Sequence, residues 1–328
     1  MCACVNGYSQ TDSALFYFKK GQEEKNARLY LVASQSFEKA IKFDPGHIDA
    51  YLENGYVNLE MKKTDAARNY FTKVHEQQPS NKAAIRELMN LYYNYRQYNK
   101  ATEFAEKCND CPGAEKVIGM NYYRQEDYPK AEKALLAAVA KNPADAEATY
   151  TLGHTYLDME LYQKAVPYYE KAVSMDKTKN GWMYELGLLY FNLQNYKGAL
   201  ASLKDAAANG YTQNNDFNEN LGLASLYGGE YDNGEQLLLG IWAKKPGNKD
   251  ILRDMAEILY QQKQYLRSLI YCQKLLDLDG NDAKALYQAG LNFQKKGEKD
   301  RGQQMCDKAI SMDPSLASLR QEKKMPGM

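Results

Sequence analysis

The sequence predicts an all-α chain built as a row of stacked helical hairpins, and three observations carry that prediction. A pattern of small, aromatic and proline positions recurs about every 34 residues, apolar residues within each copy fall three and four apart, and eight of the nine copies keep a small residue at one fixed place and all nine at a second. The composition agrees. Of 328 residues, 44% are hydrophobic and 26% charged, which is globular usage and not that of a disordered chain. With 9 Pro and 22 Gly the chain has few of the turns that a many-stranded β architecture needs. Tyr outnumbers Phe by 28 to 9, and a side chain with an apolar body and a wet tip suits half-buried surface.

The copies start at 14, 48, 82, 112, 146, 180, 215, 249 and 283, nine in all, and run to about 316. In the fifth, Thr149, Leu152, Gly153 and Tyr156 mark one face of a first helix. A turn follows near Glu160–Leu161, and Tyr162, Ala165, Tyr169, Ala172 and Val173 mark a second helix. Counting each copy from its start, offset 8 is small (Gly21, Gly55, Gly119, Gly153, Gly187, Gly222, Ala256 and Gly290). Glycine lowers helix propensity, so its recurrence predicts close approach of the two helices, with the small residue at offset 20 (Ala33, Ala67, Ala165, Gly302 and their equivalents) as partner. Tyr98, Tyr128, Tyr162, Tyr196, Tyr231 and Tyr265 share offset 17, where they open the second helix and wedge against the first. Pro45, Pro79, Pro143, Pro246 and Pro314 at offset 32 stop the second helix. One hairpin cannot bury both of its apolar faces, so the copies must stack.

Three places break the pattern. The third copy is four residues short, which predicts a truncated second helix and a change of curvature at 108–116. The stretch 209–216 is polar and without Pro, a looser loop. The tail 317–328 is too short and charged for a full capping helix, so either the last hairpin faces water or a partner covers it. The segment 1–13 precedes the repeats, and Gly7 and Ser9 stand where a signal peptidase reads small residues. A remnant of an export signal, and so a periplasmic or exported protein, is one reading; a plain terminus on a cytoplasmic protein is the alternative. A lipid anchor on Cys4 is weaker, for want of an apolar run.

These residues resemble the tetratricopeptide repeat family over about nine tenths of the chain. Its pattern of aromatic, Leu-Gly, Tyr, Ala, Phe, Ala and Pro is nearly complete in TYTLGHTYLDMELYQKAVPYYEKAV and in GWMYELGLLYFNLQNYKGALASLKDAA. The resemblance implies a right-handed superhelical solenoid whose first helices line a concave groove. It also implies that offsets 2, 5, 9, 12 and 13 of those helices face the groove. That register holds Arg86, Asn90, Tyr93 and Asn94 in the third copy, and Tyr123 and Arg124 in the fourth. It holds Tyr150, His154 and Asp158 in the fifth, Tyr184, Phe191 and Asn192 in the sixth, and Arg253, Glu257 and Tyr260 in the eighth. Aromatic rings interleaved with amides suit an extended peptide, although each Tyr can equally be filler between helices, Phe191 more so. One subtype of the family grips a chaperone-tail carboxylate. Arg86 and Asn90 match its first pair, but Val117, Glu147 and Thr151 stand where Asn and basic residues are needed, so that clamp is broken.

Chemistry finds little support. Cys272 and Cys306 fall at offset 24, where other copies have Phe or Tyr, and read as core. Cys108 is likewise at a core offset. Cys108-x-x-Cys111 lacks the second ligand pair of a structural zinc site and the helix-start setting of a redox pair. In an exported chain, a local disulfide clamping the short copy is the remaining reading. There is no Gly-Lys dipeptide for a phosphate loop, Pro79 replaces the second His after His75-Glu76, and Gly-x-Ser-x-Gly is absent. The expectation is a non-enzymatic scaffold with no metal and no cofactor, which binds a protein or peptide. The alternative is a structural component that self-associates through 283–328. Lys and Arg number 42 against 42 Asp and Glu, so no nucleic-acid partner is expected. A mean hydropathy of −0.68 argues against a membrane span, and no small-molecule substrate is expected.

Overall fold

The computed structural model describes residues 5–108 and 110–321. Cys4 and the rest of 1–4, on which the export reading partly rests, lie outside the described residues, as do 322–328 of the tail. The nine hairpins are α1 (Val5–Asn26) with α2 (Tyr30–Phe43), α3 (Ile48–Glu60) with α4 (Thr64–Gln77), and α5 (Lys82–Asn94) with α6 (Tyr98–Glu106). Then come α7 (Ala114–Arg124) with α8 (Tyr128–Lys141), α9 (Ala146–Asp158) with α10 (Tyr162–Met175), and α11 (Asn180–Asn192) with α12 (Tyr196–Ala208). The last three are α13 (Asn215–Gly228) with α14 (Tyr231–Trp242), α15 (Asp250–Gln261) with α16 (Tyr265–Leu278), and α17 (Ala283–Lys295) with α18 (Lys299–Met312). A 3-10 turn at Pro314–Leu316 and α19 (Ala317–Gln321) follow. The fold is an all-α helical repeat, in two compact units that divide at Lys171 and Ala172.

Each hairpin turns in the same way. The residue at offset 15 is left-handed, with φ from 57° to 61° at Arg28, Lys62, Arg96, Glu126, Glu160, Gln194 and Lys263, and 88° and 97° at Gly229 and Gly297. Around Glu126 the chain bonds Glu126 N–H to Tyr123 C=O and Asp127 N–H to Tyr122 C=O, and the same pair recurs in every repeat. This is the paired closure that satisfies the last carbonyls of a helix. First helices start on caps whose side chains accept a backbone N–H, at His47, Asn81, Asp145, Asn214 and Asp282. Second helices end on extended residues such as Asp44 and Asp313, each before a proline.

The offset-8 glycines do work by close approach, but chiefly against offset 24 and not offset 20. A Cβ on Gly21 would lie 2.7 Å from Phe37, on Gly55 2.6 Å from Phe71, on Gly119 2.7 Å from Leu135, and on Gly153 3.0 Å from Tyr169. The expected offset-20 contact is added in the second unit, where a Cβ on Gly290 would meet Gly302 O at 2.7 Å. The third repeat inverts the sizes, with Met89 at offset 8 and Ala105 at offset 24, both fully buried in one cluster. Cys272 and Cys306 occupy offset 24 and are buried, as a core reading requires.

The shortening of the third repeat falls on α6, which has 9 residues where the other second helices have 12 to 14. Cys108 and Cys111 are joined by a disulfide, and both pack against Ala105, Ala114 and Val117, so the cystine fills core that the missing turn vacates. At the other end, Leu316 of the 3-10 turn is buried against Tyr287, Cys306 and Ala309, so that turn covers part of the last hairpin.

Successive first helices touch one another, α1 on α3 and α7 on α9 in the first unit, α13 on α15 and α15 on α17 in the second. Successive second helices make no comparable contact among the described residues. Within each unit the first helices therefore lie on the inner side of the curve.

Candidate functional site

Offset 12 places an aromatic near the end of the first helix, and the offset-17 Tyr beyond the turn packs on it. Tyr98 lies 5.8 Å from Tyr93, Tyr128 6.1 Å from Tyr123, Tyr196 5.4 Å from Phe191 and Tyr265 5.7 Å from Tyr260, centroid to centroid. The turn thus holds the inner-face rings from behind, and the wedge expected of these tyrosines is present.

In the first unit the expected residues meet across repeats. Tyr123 Oη on α7 donates to Asp158 Oδ2 on α9 at 2.8 Å and lies 2.8 Å from His154 Nδ1, which is 3.3 Å from the same carboxylate. The His154 ring stands edge-on to Tyr123 and to Tyr150, each at 5.6 Å, and Tyr150 packs in turn on buried Tyr169 at 5.4 Å. Beside this rung, the Arg124 guanidinium lies 3.9 Å over the Tyr98 ring, and Tyr93 points its hydroxyl at Met120 Sδ. Arg86 is drawn sideways to Glu87 at 2.8 Å and to Tyr56 Oη at 3.4 Å. Asn90 and Asn94 are exposed on α5.

Tyr184 and Asn192 belong to the second unit, where the same register holds a different environment. Tyr184 accepts from Asn220 Nδ2 at 2.9 Å and stacks on Tyr211 at 4.6 Å, while Asn192 is exposed. Phe191 packs on Tyr196 and Tyr227, the position of filler. Farther along, burial raises the Asp254 carboxyl above the usual carboxylate range, and nearby Glu257, Asp250 and Glu219 push the same way.

Two contributors, Lys116 and Met120, were not singled out from the residues. Lys116, at offset 5, bridges Asp145 at 3.0 Å and Glu147 at 2.7 Å. Burial alone would lower its ammonium, but hydrogen bonds to those two carboxylates outweigh that and hold it above the ordinary lysine range. Met120 at offset 9 and Tyr98 at offset 17 complete the Tyr93–Arg124 contact; the register that located the others contains Lys116 and Met120 as well. Among the described residues no three His, Cys, Asp or Glu side chains gather to hold a metal ion, and no helix is long and apolar enough to cross a membrane. The first-unit face carries packed rings, a hydrogen-bonded carboxylate and a stacked guanidinium.

Known proteins share sequence with parts of this chain. A curated relative, anaphase-promoting complex subunit 3 of Schizosaccharomyces pombe, is 27% identical over 158 residues, 46% of this chain and 24% of the relative. The chain thus spans about a quarter of that relative's length. Among solved structures, YrrB, described as a TPR protein with an unusual peptide-binding site, is 21% identical with a TM-score of 0.41, over 60% of this chain and all of that one. A tetratricopeptide repeat protein from Parabacteroides merdae is 16% identical with a TM-score of 0.37, over 81% of this chain and 93% of that one. Tetratricopeptide repeat models match residues 117–180, 150–213 and 184–249, and again 283–316. With matches over half its length and the same hairpin repeated nine times, the chain belongs to the tetratricopeptide repeat family, whose members are protein-interaction scaffolds.

Proposed function

We propose that this chain is a non-catalytic scaffold that holds an extended segment of a partner protein along the first-helix face at 86–158. The observation that carries the reading is the Tyr123–His154–Asp158 rung with Arg124 stacked beside it. These side chains are held before any partner arrives, so little conformational entropy is lost on binding. Rings then supply apolar area while exposed Asn90 and Asn94 can bond a peptide backbone. Replacing Tyr123, Arg124, Tyr150 and His154 by Ala should weaken partner binding while helix content stays the same. Because Tyr150 also packs on Tyr169, the narrower Y123A/R124A variant is the cleaner instrument. Copurification from native extract with the wild-type chain identifies the partner, and its affinity for the two proteins is then compared. Equal affinity would move the interface elsewhere. Self-association through 283–328 is the competing reading; light scattering of the full chain and of one ending at 316 separates the two, since a concentration-independent monomer excludes it.

A further inference from the structure

Among the described residues, the connection from α6 to α7 is held by little besides its cystine. α7 starts on Gly113, a left-handed residue with φ 86° and no side chain to cap the helix. Short turns close Cys111 N–H on Cys108 C=O and Ala114 N–H on Cys111 C=O. The Lys82–Asp110 ion pair has both partners exposed, and such a pair adds little in water. The Cys108–Cys111 bond, by contrast, ties the end of the third repeat to the start of the fourth inside one buried cluster with Ile85, Met89, Ala105 and Val117. Because it closes so short a loop, it restrains the unfolded chain little, and its loss leaves the array folded.

The two half-cystines differ in their surroundings. Cys111 lines a surface cleft of about 480 Å³, with Pro112, Gly113 and Lys116 beside it and Ala138 and Asn142 across it. It keeps 5% of its surface exposed against 2% for Cys108, so a reagent in the cleft meets Cys111 first. The Asp110 carboxylate lies 3.5 Å from Cys108 Sγ. A negative charge at that distance disfavours a thiolate, so it slows departure of Cys108 from an attacked bond. The cluster around the cystine is closely packed, and two thiols need more room than one cystine. Opening the bond therefore displaces α7 against α5. Val117 lies one turn before Met120, whose Sδ meets the Tyr93 hydroxyl, so the displacement reaches the Tyr93–Met120 contact.

We propose that Cys108–Cys111 is a site of thiol–disulfide exchange with a dithiol, attacked at Cys111 through the cleft, and that its reduction resets the junction of the third and fourth repeats. The reductant's thiolate bonds to Cys111 Sγ as the cystine bond breaks, and the electron pair leaves on Cys108, which takes up a proton. The reductant's second thiol, once deprotonated, closes on its own first sulfur and releases Cys111 as a thiolate, which is protonated in turn. Two electrons and two protons pass to the chain, and the reductant is left as a disulfide. The test treats the native full chain with dithiothreitol, quenches with acid, unfolds and alkylates it, and counts thiols at 108 and 111 by peptide mass spectrometry. The reduction rate should stay constant as urea is raised below the unfolding transition; a rate that climbs in step with global unfolding would overturn access through the cleft. Asp110→Asn should speed reduction about threefold. Lys82→Gln breaks the same ion pair but leaves the carboxylate bare, and it should slow reduction; acceleration by both would overturn attack at Cys111. In the ¹³C-methyl-Met chain, reduction should shift the Met89 and Met120 resonances and leave Met255 of the second unit in place, and Cys108→Ser/Cys111→Ser should reproduce the shifted positions. Unmoved Met89 and Met120 would overturn the reset. None of these readouts needs a partner, so failure here and failure of the scaffold reading are told apart.

Discussion

Replacing Gly55 tests whether the hairpins are set by a size match between offsets 8 and 24. A Cβ at Gly55 would lie 2.6 and 2.7 Å from two atoms of the Phe71 ring, against 3.4–4 Å for ordinary contact, so the ring must retreat by most of an ångström. It cannot retreat freely, because Phe71 is fully buried among Ala67, Leu88 and Leu91. Overpacking of this kind costs about 1–3 kcal/mol, and the better helix propensity of Ala returns roughly 1, so Gly55→Ala should destabilise by about 1 kcal/mol. Gly240→Ala is the control. Nothing lies within 4 Å of a Cβ there, and it should stabilise by about 0.5–1 kcal/mol. The sharper experiment copies the third repeat, where Met89 faces Ala105. Phe71→Ala alone should cost about 3–5 kcal/mol, and Gly55→Met alone should cost more than Gly55→Ala. The double variant should recover at least about 2 kcal/mol of their sum. Urea unfolding followed by far-ultraviolet circular dichroism measures the cycle, with slopes checked because repeat arrays can lose two-state behaviour. Additivity within about 0.5 kcal/mol would refute the size match.

Three further outcomes are expected. Glu126→Gly, at a left-handed residue with φ 60°, should raise stability by roughly 0.5–1 kcal/mol in the same urea assay, as removal of Cβ strain exceeds the added chain entropy; a loss would show that the side chain matters more than the backbone. Burial pushes the Cys272 thiol up from its ordinary value of 9.0 to about 12, so the folded chain holds that proton more tightly than the unfolded one. Its contribution to stability is therefore complete below pH 9 and lost as pH rises toward 12, and a thiol reagent at pH 8 should leave Cys272 unmodified until urea unfolds the chain; rapid native-state modification would contradict the burial. The Cys108–Cys111 bond closes a loop of only four residues, so Cys108→Ala/Cys111→Ala should cost at most about 2 kcal/mol through chain entropy. A loss above about 4 kcal/mol would mean the cystine organises more of the third repeat than its own turn.

Much of this molecule was legible from residue spacing alone. Period and phase predicted nine hairpins, the tyrosines that open second helices, the core cysteines and the shortened α6, because a helix sends residues three and four apart to the same face whatever it packs against. The register implied by the family resemblance also picked out Tyr123 on α7 and His154 and Asp158 on α9. Contacts between helices were decided only in three dimensions. The glycines meet offset 24 more than offset 20, since the partner's axial shift and tilt choose which side chain lies opposite. The same shift joins Tyr123 to His154 and Asp158, gives Lys116 two carboxylates, and draws Arg86 away to Glu87. The Cys108–Cys111 bond belongs to this second class, because pairing and burial are properties of neighbours, and periodicity names only the direction in which a side chain points.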